Sequence, residues 1–99
     1  MMQTNLAIEV LQTSIFAKKK KKLKKNQIKD LDNAIKDIIK NPEIGVQKKG
    51  DLQDIWVYKF RMVKQENLLA YKWDEKRRIL VALGVHENFY RDLKKDNIF

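Results

Sequence analysis

Residues 55–85, IWVYKFRMVKQENLLAYKWDEKRRILVALGV, decide the fold. Trp56, Tyr58, Phe60 and Met62 alternate with Val57, Lys59, Arg61 and Val63, the pattern of a strand with one apolar and one partly basic face. Lys64 to Glu66 read as a polar turn and NLLAYKWD, residues 67–74, as a second strand. Glu75 and Lys76 turn the chain again into RRILVALGV, residues 77–85, which is nearly continuous in apolar residues and is expected to be central. Short polar connections make these strands antiparallel neighbours. The period-two placement of Trp56, Tyr58, Phe60, Tyr71 and Trp73 assigns them to a core beneath helices rather than to a base-stacking platform.

Upstream the period lengthens. Ile28, Leu31, Ile35, Ile38 and Ile39 recur at helical intervals through QIKDLDNAIKDIIK, with Asn26 as the expected cap and Pro42 as the stop. Lys29, Lys36 and Lys40 balance Asp30, Asp32 and Asp37 there. Before it, SIFAKKKKKLKK reads as a helix capped by Thr13 or Ser14, carrying Lys18, Lys19, Lys20, Lys21, Lys22, Lys24 and Lys25 with no intervening acid. Five adjacent lysines cannot share one helix face, so this segment is solvated, serving either as a polyanion contact or as a solubilising face. Leu6 to Leu11 reads as a first strand buried on both faces, and EIGVQKKGDLQD as a loop turning at Gly45 and Gly50. The expectation is an α+β fold in one domain, 1–99: an N-terminal strand, a helical hairpin, an antiparallel three-stranded meander in one sheet, and a short C-terminal helix or tail. Helices would cover one sheet face and leave the other open. Phe89 is expected to pack the tail back onto the sheet.

The net charge of +9 favours polyanionic partners: RNA, DNA, an anionic membrane face or an acidic protein. The chain lacks cysteine and has a single histidine, which removes a disulfide framework and the usual ligands of structural zinc; neither metal nor cofactor is expected. The start, MMQTNLAIEV, lacks the basic segment and cleavage site of a secretory signal, and the apolar runs are short for a bilayer span. The expected setting is cytoplasmic, away from the membrane. LVALGVHENFYRDL, residues 80–93, delivers the histidine, His86, to a sheet edge beside Glu87, Asn88, Tyr90 and Arg91. It is either a presented reactive group or a polar residue at a strand-to-helix turn.

The order of these elements, with IIKNPEIGVQKKGDL, IWVYKF, LLAYKWDE and LVALGVHENFYRDLK, resembles the RelE/ParE family of toxins from bacterial type II toxin-antitoxin modules, closest to its ParE-like branch. The resemblance covers nearly the whole chain. It implies one of two activities: RelE-type members cut messenger RNA, typically in the ribosomal A site, whereas ParE-type members poison DNA gyrase without being nucleases. A third possibility is an inactive basic binding module descended from either.

Metal-independent RNA cleavage needs a base for the 2′-hydroxyl proton, cations for the pentacoordinate phosphate and an acid for the leaving 5′-oxygen. Histidine, with an ordinary pKa of about 6.5, suits the proton transfers. His86 and Tyr90 are similar to the terminal histidine and aromatic pair of YafQ-like nucleases, and His86 falls about where RelE uses an arginine. The catalytic candidates that follow are His86, Tyr90, Lys59 and Arg61. Lys48, Lys49, Arg78, Arg91 and the lysines Lys18, Lys19, Lys21, Lys22 and Lys25 are the candidate RNA-phosphate contacts. Leu68 stands where RelE has a second arginine, and the further histidines of YafQ-like enzymes are absent. The second proton transfer then falls to Lys59, Glu87, Tyr90 or water. Both toxin readings imply an acidic antitoxin that wraps the chain by strand addition or a helix in a groove. In the family, operator DNA is bound by the antitoxin, so DNA recognition is not expected of this chain.

Overall fold

The computed structural model describes residues 7–49, 54–85 and Phe89. Strand β1 (Glu9–Gln12) leads into α1 (Ser14–Lys21) and α2 (Lys25–Lys40). A 3-10 turn (Pro42–Ile44) and a two-residue strand β2 (Val46–Gln47) follow, then the meander β3 (Trp56–Met62), β4 (Gln65–Trp73) and β5 (Arg77–Gly84). The strands form one sheet in the order β1-β5-β4-β3-β2, so β5 lies inside it but β4 holds the centre.

The meander is antiparallel as the alternation predicts, whereas β1 pairs with β5 in parallel and makes the sheet mixed. Parity explains this. α2 returns the chain to the start of β3, and two hairpin reversals then bring β5 back to the direction of β3 and hence of β1. β1 is also an exposed edge rather than a strand buried on both faces, with Val10 and Leu11 partly in solvent. The segment expected as loop after Pro42 instead contributes β2, paired antiparallel with β3.

The helices cover one face. Phe16, Leu31 and Ile38 pack on Met62, Leu69, Tyr71, Leu80 and Leu83, with Trp56, Tyr58, Phe60 and Trp73 at the margin. Trp56 meets Trp73 edge-on at 5.7 Å. The opposite face is not left open: Val57, Leu68, Ala70, Val81 and Ala82 form a second buried cluster with Ile55 and Phe89. Phe89 is 4% exposed, and burying a phenyl ring contributes about 1.5–3 kcal/mol, enough to hold this residue against the sheet. That bears out the expected docking of Phe89. The expected C-terminal helix or tail otherwise lies outside the described residues, as does Gly50.

Local chemistry sets the element ends. Thr13 caps α1, its Oγ1 accepting from Phe16 N–H at 3.1 Å, and the same hydroxyl donates to Val81 O at 2.7 Å. Val81 is the extra residue of an irregularity in β5: Ala70 pairs with Ala82 and Tyr71 with Leu80. Thr13 thereby ties the helix start to the strand irregularity. α1 ends at Lys21, earlier than expected, because consecutive lysines repel one another and half-buried Leu23 draws the chain inward. α2 begins at Lys25 rather than after Asn26, since Gln27 Oε1 accepts from the Lys24 N–H at 2.8 Å. Pro42 ends α2 as predicted.

The β3–β4 turn falls on Val63 and Lys64, beginning one residue earlier than expected and ending two earlier, so that Gln65 and Glu66 join β4. Val63 has φ 62, a left-handed conformation that costs a β-branched residue about 1–3 kcal/mol. Asp30 Oδ2 accepts from the Val63 N–H at 2.6 Å and holds it there. Val63→Gly keeps that bond and removes the strain at a site whose side chain is 44% exposed. It should raise stability by about 1 kcal/mol, read as a higher urea midpoint with an unchanged m-value. A lower midpoint would mean that Val63 packing outweighs the strain.

Candidate functional site

The alternation of β3 sends its apolar side chains under the helices and leaves Lys59 and Arg61 on the other face, both exposed. Lys59 pairs with Leu68, and Leu68 with Gly84, so the three stand in one row across β3, β4 and β5. At about 4.8 Å between strands, Lys59 and Gly84 are roughly 10 Å apart. At the Gly84 end the row meets Phe89: a Cβ on Gly84 would lie 3.2 Å from Phe89 Cδ1. The face is therefore a shelf with an apolar floor of Leu68, Ala70 and Ala82, cations on β3 and Phe89 across β5.

Lys48 reaches the same shelf. With Gly45, Val46, Val57 and Lys59 it lines a cavity of about 270 Å³, and its N–H donates to Ile55 O at 2.8 Å, continuing the β2–β3 pairing. Lys49 is exposed beside it. Arg61 leans the other way, Nη1 donating to Lys64 O at 3.3 Å at the hairpin tip. Leu68, opposite Lys59, is 1% exposed and adds no charge.

The remaining expected contacts are not brought to this shelf. Lys18, Lys19, Lys21, Lys22 and Lys25 lie on α1, its C-cap and the start of α2, in the helical layer on the other side of the sheet. Lys20, 3.8 Å from Asp32, forms an exposed pair of the kind that contributes little. His86, Tyr90 and Arg91 lie outside the described residues.

Arg78 is a correction. It is 5% exposed, its Nε and Nη2 donating to Ile38 O and Ile39 O at 3.1 and 3.0 Å and its Nη1 to Asp74 O and Arg77 O at 2.7 and 3.0 Å. The guanidinium caps the C-terminal carbonyls of α2 and has no face left for a phosphate. The adjacent RR pair gave no sign of this. Arg77 faces solvent and binds Asp74 at 2.8 Å. The Asp74 carboxyl is held below its usual range, first by the Lys76 N–H and then by the Arg77 guanidinium.

Sequence reasoning also missed Tyr71, which positions the cavity wall. Its hydroxyl donates to Pro42 O at 2.6 Å and accepts from Gly45 N–H at 3.1 Å. Burial, the main cause, raises its pKa above 10.0, so it remains a donor at neutral pH. In the sequence it is one more aromatic in a strand pattern. Among the described residues no three His, Asp or Glu side chains gather to hold a metal, and no helix is long and apolar enough to cross a membrane.

A mixed five-stranded sheet with a helical pair on one face and a basic shelf on the other defines a small α+β scaffold. A sequence profile for the ParE-like toxin of type II bacterial toxin-antitoxin systems matches residues 10–94, and the chain belongs to that family.

Solved structures share the fold. The free form of a doubly substituted E. coli RelE aligns with TM-score 0.69 at 21% identity, over 92% of this chain and 98% of that one. The intact E. coli RelBE toxin-antitoxin complex contains a chain matching with TM-score 0.65 at 22% identity, over 82% and 99%. The YoeB/ParE toxin from Agrobacterium tumefaciens matches with TM-score 0.64 at 14% identity, over 80% and 99%. A comparison of the sequence with curated proteins finds no significant match.

Proposed function

We propose that this toxin acts as a metal-independent endoribonuclease on messenger RNA at the ribosome, neutralised by a cognate acidic antitoxin. The observation that carries the reading is the shelf itself. Lys59 and Arg61 stand exposed on the face against which Phe89 docks, and Phe89 lies in the segment that contains His86 and Tyr90. Cations and an imidazole are what 2′-hydroxyl attack requires, and the sequence carries both.

In this reading His86 takes the 2′-hydroxyl proton and the 2′-oxygen attacks phosphorus. Lys59 and Arg61 stabilise the pentacoordinate phosphate, and the P–O5′ bond breaks to leave a 2′,3′-cyclic phosphate as the leaving 5′-oxygen takes a proton from Lys59, Glu87, Tyr90 or water. Tyr90 stacks on or orients the nucleotide. Lys48, Lys49 and Arg91 hold neighbouring phosphates. The E. coli RelE relative occurs in a complex with its antitoxin, and the +9 charge here fits an acidic partner of that kind. The toxin and its target would meet in the cytoplasm.

Inhibition of DNA gyrase is the second reading, and one observation favours it: the position opposite Lys59 is the buried, apolar Leu68, which leaves the shelf short of a cation.

Induction of the chain in cells separates the two. Messenger cleavage mapped on ribosomes is expected, falling about 100-fold or more in His86→Ala and about 100-fold in Lys59→Ala, the range for lost proton transfer and one lost phosphate contact. Gyrase-trapped DNA breaks with an SOS response, or full cleavage by His86→Ala, would sink the nuclease reading. Neither messenger cleavage nor DNA breaks would leave a basic binding module.

A further inference from the structure

The two edges of the sheet are built differently. At one, β2 is two residues long and runs into Lys48 and Lys49, and a short strand followed by lysines is a common guard against strand addition. At the other, β1 ends the sheet with Glu9, Val10, Leu11 and Gln12 all exposed. It carries no lysine, proline or bulge. Val10, Leu11 and, at the start of α1, Ile15 are three of the seven exposed large hydrophobics among the described residues, gathered within six positions of the chain. An unguarded apolar edge of this kind is a template for a further strand.

The pairing with β5 fixes which backbone groups are free. Glu9 N–H donates to Lys76 O at 2.9 Å and Thr13 N–H to Leu80 O at 3.0 Å. Alternate residues of a strand turn to the same neighbour, so Glu9, Leu11 and Thr13 face β5, and the N–H and C=O of Val10 and Gln12 point outward. These two residues flank Leu11 symmetrically. A second β1 laid antiparallel with Leu11 on the twofold axis therefore pairs Val10 of each copy with Gln12 of the other and uses every outward group of the strand. Leu11 shares a sheet face with Ile79, its register partner, which packs on the cluster of Val57 and Phe89. On that face the two Leu11 side chains meet at a pair without hydrogen bonds, their Cα atoms about 4.5 Å apart.

Charge selects the occupant. Glu9 is the only charged residue between positions 7 and 17, and the lysines begin at Lys18. The cavity beside Glu9 is lined by Asp74, Glu75, Lys76 and Arg77, whose charges cancel. An acidic strand gains no cation on β1 and is repelled by Glu9, whereas Lys48, Lys49 and Lys59 attract it to the far side of the sheet. A second copy brings no lysine to the junction. The two Glu9 carboxylates stand about 14 Å apart along the paired strands, beyond the ~8 Å screening length of physiological salt.

We propose that β1 is a self-association edge, at which two copies of this chain join antiparallel through Val10, Leu11 and Gln12 and merge their five-stranded sheets. Lys59 and Arg61, on β3, stay clear of the junction, so the association is independent of the function proposed above.

The chain has no cysteine, so a single introduced one reports the register. In a thiol–disulfide buffer at ~100 µM protein, Leu11→Cys is expected to form a covalent dimer at least about tenfold faster than Val10→Cys or Gln12→Cys, because only the Leu11 pair falls within the roughly 4.4–6.8 Å Cα separation of a disulfide. Sedimentation of the parent from ~5 to ~500 µM should show a monomer–dimer equilibrium with a dissociation constant on the order of 100 µM, as suits a small interface. Raising salt from ~0.05 to ~0.3 M should tighten it about threefold or more, because two chains of charge +9 repel one another. Leu11→Lys sets two ammonium groups face to face and should weaken association at least about tenfold while melting like the parent.

A parent that stays monomeric at ~500 µM in both salts, equal cross-linking at the three positions, or association untouched by Leu11→Lys would overturn the proposal. So would a Leu11→Lys chain that escapes its cognate antitoxin yet dimerises like the parent, which would give the edge to that partner.

Discussion

Arg78→Ala is expected to destabilise the protein by about 3–5 kcal/mol, the range for removing one member of a buried charged hydrogen-bonded set. The substitution leaves Ile38 O, Ile39 O and Asp74 O without the donor they share and strips a cation from beside the Trp73 ring, 5.8 Å from its centroid. A domain of this size is held by about 5–15 kcal/mol, so the loss is roughly a fifth or more of the total. The melting temperature should fall by roughly 12–40 °C, at about 4–8 °C per kcal/mol. Arg78→Lys should recover less than half, because one ammonium cannot span carbonyls from α2 and from the β4–β5 turn together. Calorimetry checks both. If Arg78→Ala melts like the parent yet loses RNA cleavage, Arg78 is a phosphate contact after all.

Gly45→Ala is expected to cost about 3 kcal/mol, combining overpacking with loss of a buried hydroxyl's partners. The new Cβ would lie 2.7 Å from Tyr71 Oη and 2.9 Å from Val57 O. Val57 O belongs to the β3 backbone and cannot swing aside, and Tyr71 is 0% exposed and held at both ends of its hydroxyl. Either β2 moves off β3 or Tyr71 gives up its bonds to Gly45 and Pro42. Because Gly45, Val57 and Lys59 line the same cavity, the damage should reach the shelf as well as the fold. Urea unfolding gives the stability change, and Tyr71→Phe separates its sources. That variant removes the hydroxyl and its clash, so adding Gly45→Ala to it should cost less than Gly45→Ala alone. Equal costs would show that the Val57 backbone, not Tyr71, sets the limit.

Much of the architecture was legible because burial imposes a period. Trp56, Tyr58, Phe60 and Met62 had to share a face, and the helices had to lie on it. Lys59 and Arg61 followed onto the opposite face for the same reason. The docking of Phe89 was legible because an apolar residue after a buried strand has few other places to go. Less legible was anything that depends on two distant segments meeting. Arg78 looked like a surface cation until the end of α2 arrived above it, and Tyr71 looked like generic core until Pro42 and Gly45 converged on its hydroxyl. β1 looked buried because its residues are apolar, but it pairs on one side only.

The sequence by itself determined the order of the two helices and the longer strands, the division of β3 into an apolar and a basic face, and the unbalanced charge of the α1–α2 turn. These rest on local periodicity and composition, which the chain carries before it folds. Tertiary structure alone decided that β1 joins in parallel, that Tyr71 holds Pro42 and Gly45, and that Arg78 closes a helix. These depend on which carbonyls, strand edges and chain ends come within a few ångströms of one another, and a hydrogen bond such as that from Val63 to Asp30 spans residues that no sequence window joins.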